Sequence, residues 1–538
     1  MEPEKEFGNI EYKQILVNKN EERIHGISSQ MRFRVDEGNG EAIYVIGVSD
    51  NGDFVGVNDN EFTESFNNLS LAAEKNSYTI TMLAAKNIET KKSTKEVYEL
   101  LVREKNKQTY IDIKIAVAGS VDSGKSTLLG VLTSGKVDDG RGSARLSIFN
   151  FKHEVSSGRT SSIAHHIMGF DDKGRVMNYS GIHKKGWPEI VKDSSKIISF
   201  YDLCGHEKYM RTTILGLTSS FPDMCLILVG ANMGINRITH EHIFLCVTMQ
   251  IPFAIVITKI DICENRKNIL NDTIKSINRL LKLPGLRRIP YKVNNTDDVI
   301  ICAKNVKTES IVPIFHVSNV LGTGIDFVKQ FFNLLGKVPG NIKDDIKDVV
   351  MHIDTTFSVP GVGTVVCGQM ISGIIKVGDK MLIGPNNGKY AETQVRSIHC
   401  KRVPMQEVKY GSYVCLGLKK IDRKNIRRGN VIISAGSPAI VEWEFDADIT
   451  VLKSHSTTIK VGYEPIIHTC TMRQSARLIS IRDKVNARSS NDESSNHILR
   501  TGDKATARFR FSYYPEYIRP GDRLLLSEGK IKIVGVVV

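Results

Sequence analysis

At 538 residues, 41% hydrophobic and 25% charged, the chain has the make-up of a water-soluble globular protein too long for one core, so three to five domains are expected. It carries no run of about 18 apolar residues and begins on a charged stretch, which argues against a transmembrane helix and a cleaved leader. The formal net charge of +14 fits either a solvated basic surface or a polyanionic partner such as RNA, and composition does not choose between them.

Residues 1–22 are polar and read as a loose tail. A small α+β module is expected over residues 23–108. A strand at 41–48 meets the hairpin signal Asn51-Gly52, and 54–57 would return beside it. A helix near 61–75 and strands near 79–83 and 97–103 complete this module, which has no catalytic signature and reads as a partner-binding or packing domain. Over residues 109–340 apolar runs alternate with helical stretches. Strands near 113–118, 197–201, 224–229, 253–258 and 314–317 imply an α/β domain with a mostly parallel sheet covered on both faces. Beyond Pro339 the texture turns to short alternating strands with turn glycines. Two all-β barrel domains are expected, at 341–437 and 438–538, with a solvated loop at 489–496 in the second. Nine cysteines between Cys204 and Cys470, with no C-x-x-C pair, point to reduced thiols and away from a disulfide framework or a zinc site.

The α/β domain carries the chemistry. Gly119-Ser120-Val121-Asp122-Ser123-Gly124-Lys125-Ser126-Thr127 fits G-x-x-x-x-G-K-[ST] between a strand and a helix, the context that makes this pattern a phosphate-binding P-loop. Its backbone N–H groups and the helix N-terminus would cradle phosphate. Lys125 would bridge the β- and γ-phosphates, and the Ser126 hydroxyl would ligate Mg²⁺. Asp202-Leu203-Cys204-Gly205-His206 closes the next strand, where Asp202 can hold a water of the Mg²⁺ shell and Gly205 leaves backbone N–H free for the γ-phosphate. Thr258-Lys259-Ile260-Asp261 follows another apolar strand. Asp261 can accept from both guanine N1–H and N2–H₂, a donor pair adenine lacks, so the nucleotide is GTP or GDP. Lys259 would lie along the base. Thr258 replaces the usual asparagine, losing an amide that contacts the base and braces the P-loop, so weaker affinity is expected. Ser318-Asn319-Val320, ahead of a helix at 324–335, sits where a backbone N–H contacts guanine O6. Asp202 follows Thr127 by 75 positions, more than any ordinary connection needs, and Thr160 in Ser157-Gly158-Arg159-Thr160 is the candidate switch threonine completing Mg²⁺ coordination.

The Val121–Thr127 loop form, the Asp202-Leu203-Cys204-Gly205-His206-Glu207-Lys208-Tyr209 segment and the trailing β-units resemble a translational GTPase of the elongation factor Tu type. Residues 154–162, 357–366 and 500–506 are similar to the eukaryotic GTP-binding protein 1 group. The resemblance implies that His206 orients the water attacking the γ-phosphate. It implies that Asp122 steadies a monovalent cation or the switch, and that Val121 is one wing of an apolar gate before the histidine. Arg159 stands where elongation factor Tu has an aliphatic residue, so either the gate is looser or Arg159 supplies charge in cis as an arginine finger. The barrels would grip RNA through Lys401, Arg402, Arg427, Arg428, Arg473, Arg477, Arg482 and Arg488. The implied partners are the ribosome, a tRNA or other RNA and an exchange factor, for a monomeric, cytoplasmic chain with no membrane association. Two other readings stay open: a GTP-gated RNA-binding adaptor in mRNA turnover or surveillance, and a GTPase subunit driving a metabolic reaction.

Overall fold

The computed structural model describes residues 3–17, 20–38, 40–90, 93–104, 110–146, 148–149, 154, 160, 162–180, 183–283, 286–308, 310–337, 348–452, 458–485, 498–528 and 530–538. The predicted loop at 489–496, Arg159 and Arg488 lie outside them. In the N-terminal module, β1 (Ile10–Lys13), α1 (Glu21–Glu37), β2 (Glu41–Ile46), α2 (Asp59–Lys75), β3 (Tyr78–Thr90) and β4 (Ser93–Glu104) build a sheet in the order β1-β2-β4-β3. The expectation of a loose tail is corrected here, because β1 pairs in parallel with β2 and buries Tyr12. The predicted return strand at 54–57 is corrected too. Val55 and Gly56 both donate their N–H to the Gly47 carbonyl, so the segment curls onto that glycine and leaves only single bridges. Helix α1 was not anticipated, although Ile24, Ile27, Met31 and Val35 recur at helical spacing and pack with Leu69 and Ala72 of α2. Helix α2 starts on a capping box, with Asn58 Oδ1 accepting from Glu61 N–H and the Glu61 carboxylate from Asn58 N–H, each at 2.9 Å.

The other face of this small sheet shares one core with the next domain: Ile43, Val45 and Leu101 pack with Val299, Phe331 and Phe332. That domain contains β5 (Ile111–Gly119), α3 (Lys125–Ser134), β6 (Ala164–Phe170), β7 (Lys196–Asp202), α4 (Met210–Ser220), β8 (Met224–Gly230), α5 (Arg237–Thr248) and β9 (Phe253–Thr258). It continues with α6 (Lys267–Leu281), β10 (Ile289–Lys292), α7 (Thr296–Asn305), β11 (Ile311–His316) and α8 (Ile325–Leu334). The sheet runs β10-β11-β9-β8-β5-β7-β6, parallel throughout except for the β6–β7 pair. Its central strands are buried on both faces, as their unbroken apolar runs require. The long stretch after α3 is therefore more than a loop, since it contributes the antiparallel edge strand β6.

Two barrels follow. In the first, strands Lys380–Asn386 and Lys389–Cys400 pair with each other and close the ring. The second is a closed six-stranded barrel from Glu444–Val451 to Lys530–Val537. Cys367 and Cys415 face each other across adjacent antiparallel strands and form a disulfide, so the expectation of reduced thiols throughout is corrected at this pair. Strand register brings together two residues 48 apart in sequence, which no local pattern reveals. The other seven described cysteines are free. No helix among the described residues is long and apolar enough to cross a membrane.

Buried charge fastens the domains. Glu41 accepts from Lys196 Nζ at 2.8 Å and from Arg103 Nη2 at 3.0 Å, with the three residues 2%, 0% and 1% exposed. The same Arg103 and Lys196 atoms reach the Asn333 carbonyl at 3.1 and 2.7 Å. Where three domains meet, Phe221 at the end of α4 packs 6.4 Å from the His352 ring of the first barrel, which lies 6.0 Å from Tyr517 of the second. Glu41→Ala strands two buried cations and is expected to cost about 3–5 kcal/mol, read as a lowered unfolding midpoint. Burial, with the Arg519 charge adding to it, pushes His352 down to about 3, so the ring stays neutral when folded. Below pH 6.5 the unfolded chain therefore binds the extra proton, and stability is lost as pH falls from there toward 3. Between pH 6.5 and 5 the unfolding midpoint of His352→Phe should fall less than the parent's, by up to about 1.4 kcal/mol per pH unit.

Candidate functional site

Strand β5 ends at the middle of the sheet, between β7 and β8, and the chain then turns sharply into α3. Gly119 holds φ 145°, and a Cβ there would stand 2.5 Å from the Leu228 carbonyl oxygen, so a side chain is excluded at the start of the turn. Thr127 lies in the first turn of α3, whose N-terminus faces the cavity. The fully buried Ser123 donates its hydroxyl to the Ser120 carbonyl at 2.8 Å and stiffens the loop. Lys125 Nζ donates to the carbonyls of Gly119 at 3.1 Å and Ser120 at 2.8 Å. Burial lowers the Lys125 ammonium from its ordinary value, and Asp202 opposes that shift. A Cβ on Gly205 would lie 2.7 Å from the Gly119 carbonyl oxygen, so the Asp202-Gly205 turn closes over the loop only because residue 205 has none.

Three oxygen-bearing side chains meet beside Lys125. The Ser126 hydroxyl donates to Asp202 Oδ2 at 2.7 Å and lies 2.9 Å from Thr160 Oγ1, and Thr160 donates to the same carboxylate oxygen at 3.4 Å. Asp202 is 1% exposed, and its Oδ1 is buried with no hydrogen-bond partner among the described residues. Burial raises its carboxyl above the ordinary value, against the pull of Lys125. An all-oxygen set with an orphaned carboxylate oxygen fits a hard cation such as Mg²⁺, which would complete its shell with phosphate oxygens and water. His206 lines the same cavity with Val121 and Asp122. Its Nδ1 accepts from Lys208 N–H at 3.1 Å, which leaves Nε2 to carry the proton in the neutral ring.

At the other end of the loop, Thr258 is fully buried and donates its hydroxyl to the Ser123 carbonyl at 2.7 Å. The expected loss of the brace on the P-loop is thereby corrected: threonine keeps the brace, and only the contact to the base goes. Lys259 takes a left-handed conformation with φ 60° as the chain leaves β9. Ser318 donates to Asp261 Oδ1 at 2.6 Å and accepts from Leu321 N–H at 3.1 Å, so the Ser318-Asn319-Val320 loop fixes the Asp261 carboxylate. Asn319 and Val320 stand on that loop, and the Asn319 carbonyl accepts Asp138 N–H at 2.8 Å.

Two residues outside the sequence motifs belong to the site. Arg145 lines the cavity with Lys125, Ser126, Thr160 and His206. Asp138 shapes the loop that delivers it, accepting from the N–H groups of Gly140, Gly142 and Ala144 at 2.9–3.1 Å. The spacing Asp138-x-Gly140-x-Gly142 was the available signal. Four of the cations assigned to RNA have partners within the protein. Lys401 is buried against Asp112 and Ser199, each at 2.8 Å, and Arg402 stacks 4.7 Å from the Trp187 ring. Arg427 grips both Glu516 oxygens at 2.8 and 2.7 Å, and Arg482 pairs with Asp446 at 2.7 Å. Arg473 and Arg477 remain exposed.

Asp261→Asn replaces an acceptor of two guanine N–H groups by an amide. Competition binding is expected to show GDP affinity falling at least about 100-fold while xanthosine diphosphate gains, and unchanged preference would contradict the assignment.

The family model described as "Elongation factor Tu GTP binding domain" matches residues 112–358, and "Elongation factor Tu domain 2" matches 363–433. The chain is 42% identical to GTP-binding protein 1 of Xenopus laevis over 98% of its own length and 78% of that protein. It is 40% identical to GTP-binding protein 2 of Mus musculus, covering 99% and 87%. It is 28% identical to elongation factor 1-alpha of Archaeoglobus fulgidus, covering 74% and 88%. Among solved structures, the bacterial selenocysteine-specific elongation factor shares the fold at TM-score 0.56 and 20% identity, over 80% of this chain and 58% of that one. The Methanococcus maripaludis factor SelB in complex with the GTP analogue GppNHp does so at 0.54 and 20%, over 80% and 79%. With a P-loop, a guanine-reading loop and relatives at 40% identity or more along nearly its whole length, the chain belongs to the GTP-binding protein 1 and 2 group of elongation factor Tu-type GTPases.

Proposed function

We propose that this GTPase is a cytoplasmic translation factor whose GTP state engages the ribosome together with a tRNA or another RNA. The observation that carries the RNA part is a cavity of about 440 Å³ between the barrels, lined by Arg428, Arg473, Gln474, Tyr513 and Tyr514. Arg473 is held below its ordinary value, first by burial and then by the charges of Arg211 and Arg428. Arg211 comes from α4, Arg428 from the first barrel and Arg473 from the second. Arg211 and Arg473 converge there beside Arg428, whose charge Asp354 partly neutralises, and this basic excess with the exposed Tyr513 ring as a stacking face supports a polyanion such as RNA.

In the hydrolytic step, backbone N–H groups of residues 119–126 cradle the phosphates, and Lys125 exchanges its two carbonyl partners for phosphate oxygens. Ser126 and Thr160 would ligate Mg²⁺ and Asp202 would hold it through water, and the ion would supply charge neutralisation at the nucleotide phosphates. His206 positions the attacking water through its ring nitrogen, and Val121 and Asp122 border its path. Lys259 and Asp261 hold the base, Thr258 braces the P-loop behind it, and the Asn319 N–H points toward guanine O6. The similarity to elongation factor 1-alpha supports a site of action near the ribosome.

Single-turnover GTP hydrolysis with and without purified ribosomes tests this reading. Ribosomes are expected to accelerate the parent, and His206→Ala should lose about 100-fold or more of that acceleration with little change in GDP affinity. Turnover indifferent to ribosomes overturns the reading. If RNA is still bound, that result favours the adaptor in mRNA turnover, and if neither acts, the metabolic subunit.

A further inference from the structure

Thr258 has one hydroxyl hydrogen, and it goes to the Ser123 carbonyl at 2.7 Å. Nothing on that side chain is left to donate to a base. The neighbouring loop supplies what is missing. Asn319 is 7% exposed, and its Oδ1 is buried without a hydrogen-bond partner among the described residues. Its carbonyl is tied to Asp138 N–H at 2.8 Å, so the residue is held in place from behind. The point where a Cβ on Gly124 would stand lies 3.5 Å from Asn319 Nδ2 and 3.6 Å from Thr258 Oγ1. Both side chains therefore converge on one glycine of the P-loop.

A purine edge of acceptors cannot pair with Oδ1, so the group that matters to a base is the donor facing Gly124, Nδ2. Guanine presents two acceptors on one edge, O6 and N7, and a side-chain amide presents two donors in a plane. With the main-chain N–H of residue 319 directed to O6, N7 is the acceptor that remains. We propose that the Asn319 side chain is a second specificity-determining group for the base, its Nδ2 donating to N7. The work of a single asparagine at position 258 is divided: Thr258 braces the P-loop and Asn319 reads the purine. Adenine also carries N7, so Asn319 adds purine affinity and orientation while Asp261 excludes adenine. This inference rests on the guanine-nucleotide reading of the site.

The test is the dissociation constant of the full chain for GDP and for 7-deaza-GDP, which has C–H in place of N7, by displacement of a fluorescent guanine nucleotide. Asn319→Ala is expected to weaken GDP about tenfold while leaving 7-deaza-GDP within about twofold of the parent. Thr258→Asn combined with Asn319→Ala should recover most of the lost GDP affinity, because the amide returns from the other side. The comparison of two ligands on the unmutated chain involves no folding risk, and the parent itself should prefer GDP over 7-deaza-GDP about tenfold. The proposal is overturned if the parent binds the two ligands alike, or if Asn319→Ala weakens both equally. A parent that binds neither ligand overturns the underlying site reading instead.

Discussion

The nucleotide site depends on the hydrogen-bonded register of adjacent parallel strands. Val117 of β5 stands opposite Asp202 of β7, Gly119 opposite Leu228 of β8, and Gly230 of β8 opposite Thr258 of β9. Each strand is followed at the same edge by a piece of the site: the P-loop, the Asp202 turn and the guanine loop. A slip of one residue would carry Asp202 about 3.3 Å along its strand and break its contact with Ser126. The strands are apolar on both faces, so the pleat alone does not penalise such a slip. Register is held instead by side chains that cross between strand ends, chiefly Thr258 to the Ser123 carbonyl and Ser126 to Asp202.

Part of the basic charge of the chain is turned inward. Arg103 and Lys196 join the N-terminal module to the GTPase domain through Glu41. Lys401 joins the first barrel to that domain through Asp112, and Arg427 joins the barrels through Glu516. A buried cation with one matching carboxylate tolerates little displacement, since separation leaves both charges without water. These pairs set the geometry in which Arg211, Arg428 and Arg473 face one another. The net charge of +14 thus covers both a few buried, paired cations that fix domain positions and the exposed cations available to an anion.

What could be read from the sequence was local. The P-loop, the Asp202 turn and the Thr258–Asp261 loop are short motifs whose chemistry is carried by neighbours in sequence, and the buried strands announced themselves as apolar runs. What escaped depended on contacts at long range. β1 is four residues that make sense only beside β2, and β6 is an edge strand that ends at Phe170 while its antiparallel partner starts only at Lys196, too far for a hairpin signal. The roles of Lys401 and Arg427 could not be separated from those of Arg428 and Arg473, because cations look alike until their partners are known. Asn319 was placed by its backbone, and its side chain gained meaning only once it stood beside Thr258 at Gly124.

Helix α4 joins the catalytic turn to both barrels. It begins just after His206 and packs against strand Ile466–Thr469 of the second barrel, and Leu525 from that barrel lies in one core with Ile214 and Leu217. It ends at Phe221, a bulky residue with φ 46°, a conformation that packing must sustain. That packing is the His352 and Tyr517 pair, one residue from each barrel. Close-packed interfaces do not deform continuously, so a shift of α4 must either leave Phe221 seated or release it from both rings together. The turn that carries His206 is thereby tied to the junction that orients Arg428 and Arg473, and the phosphate end and the basic cavity share one mechanical element.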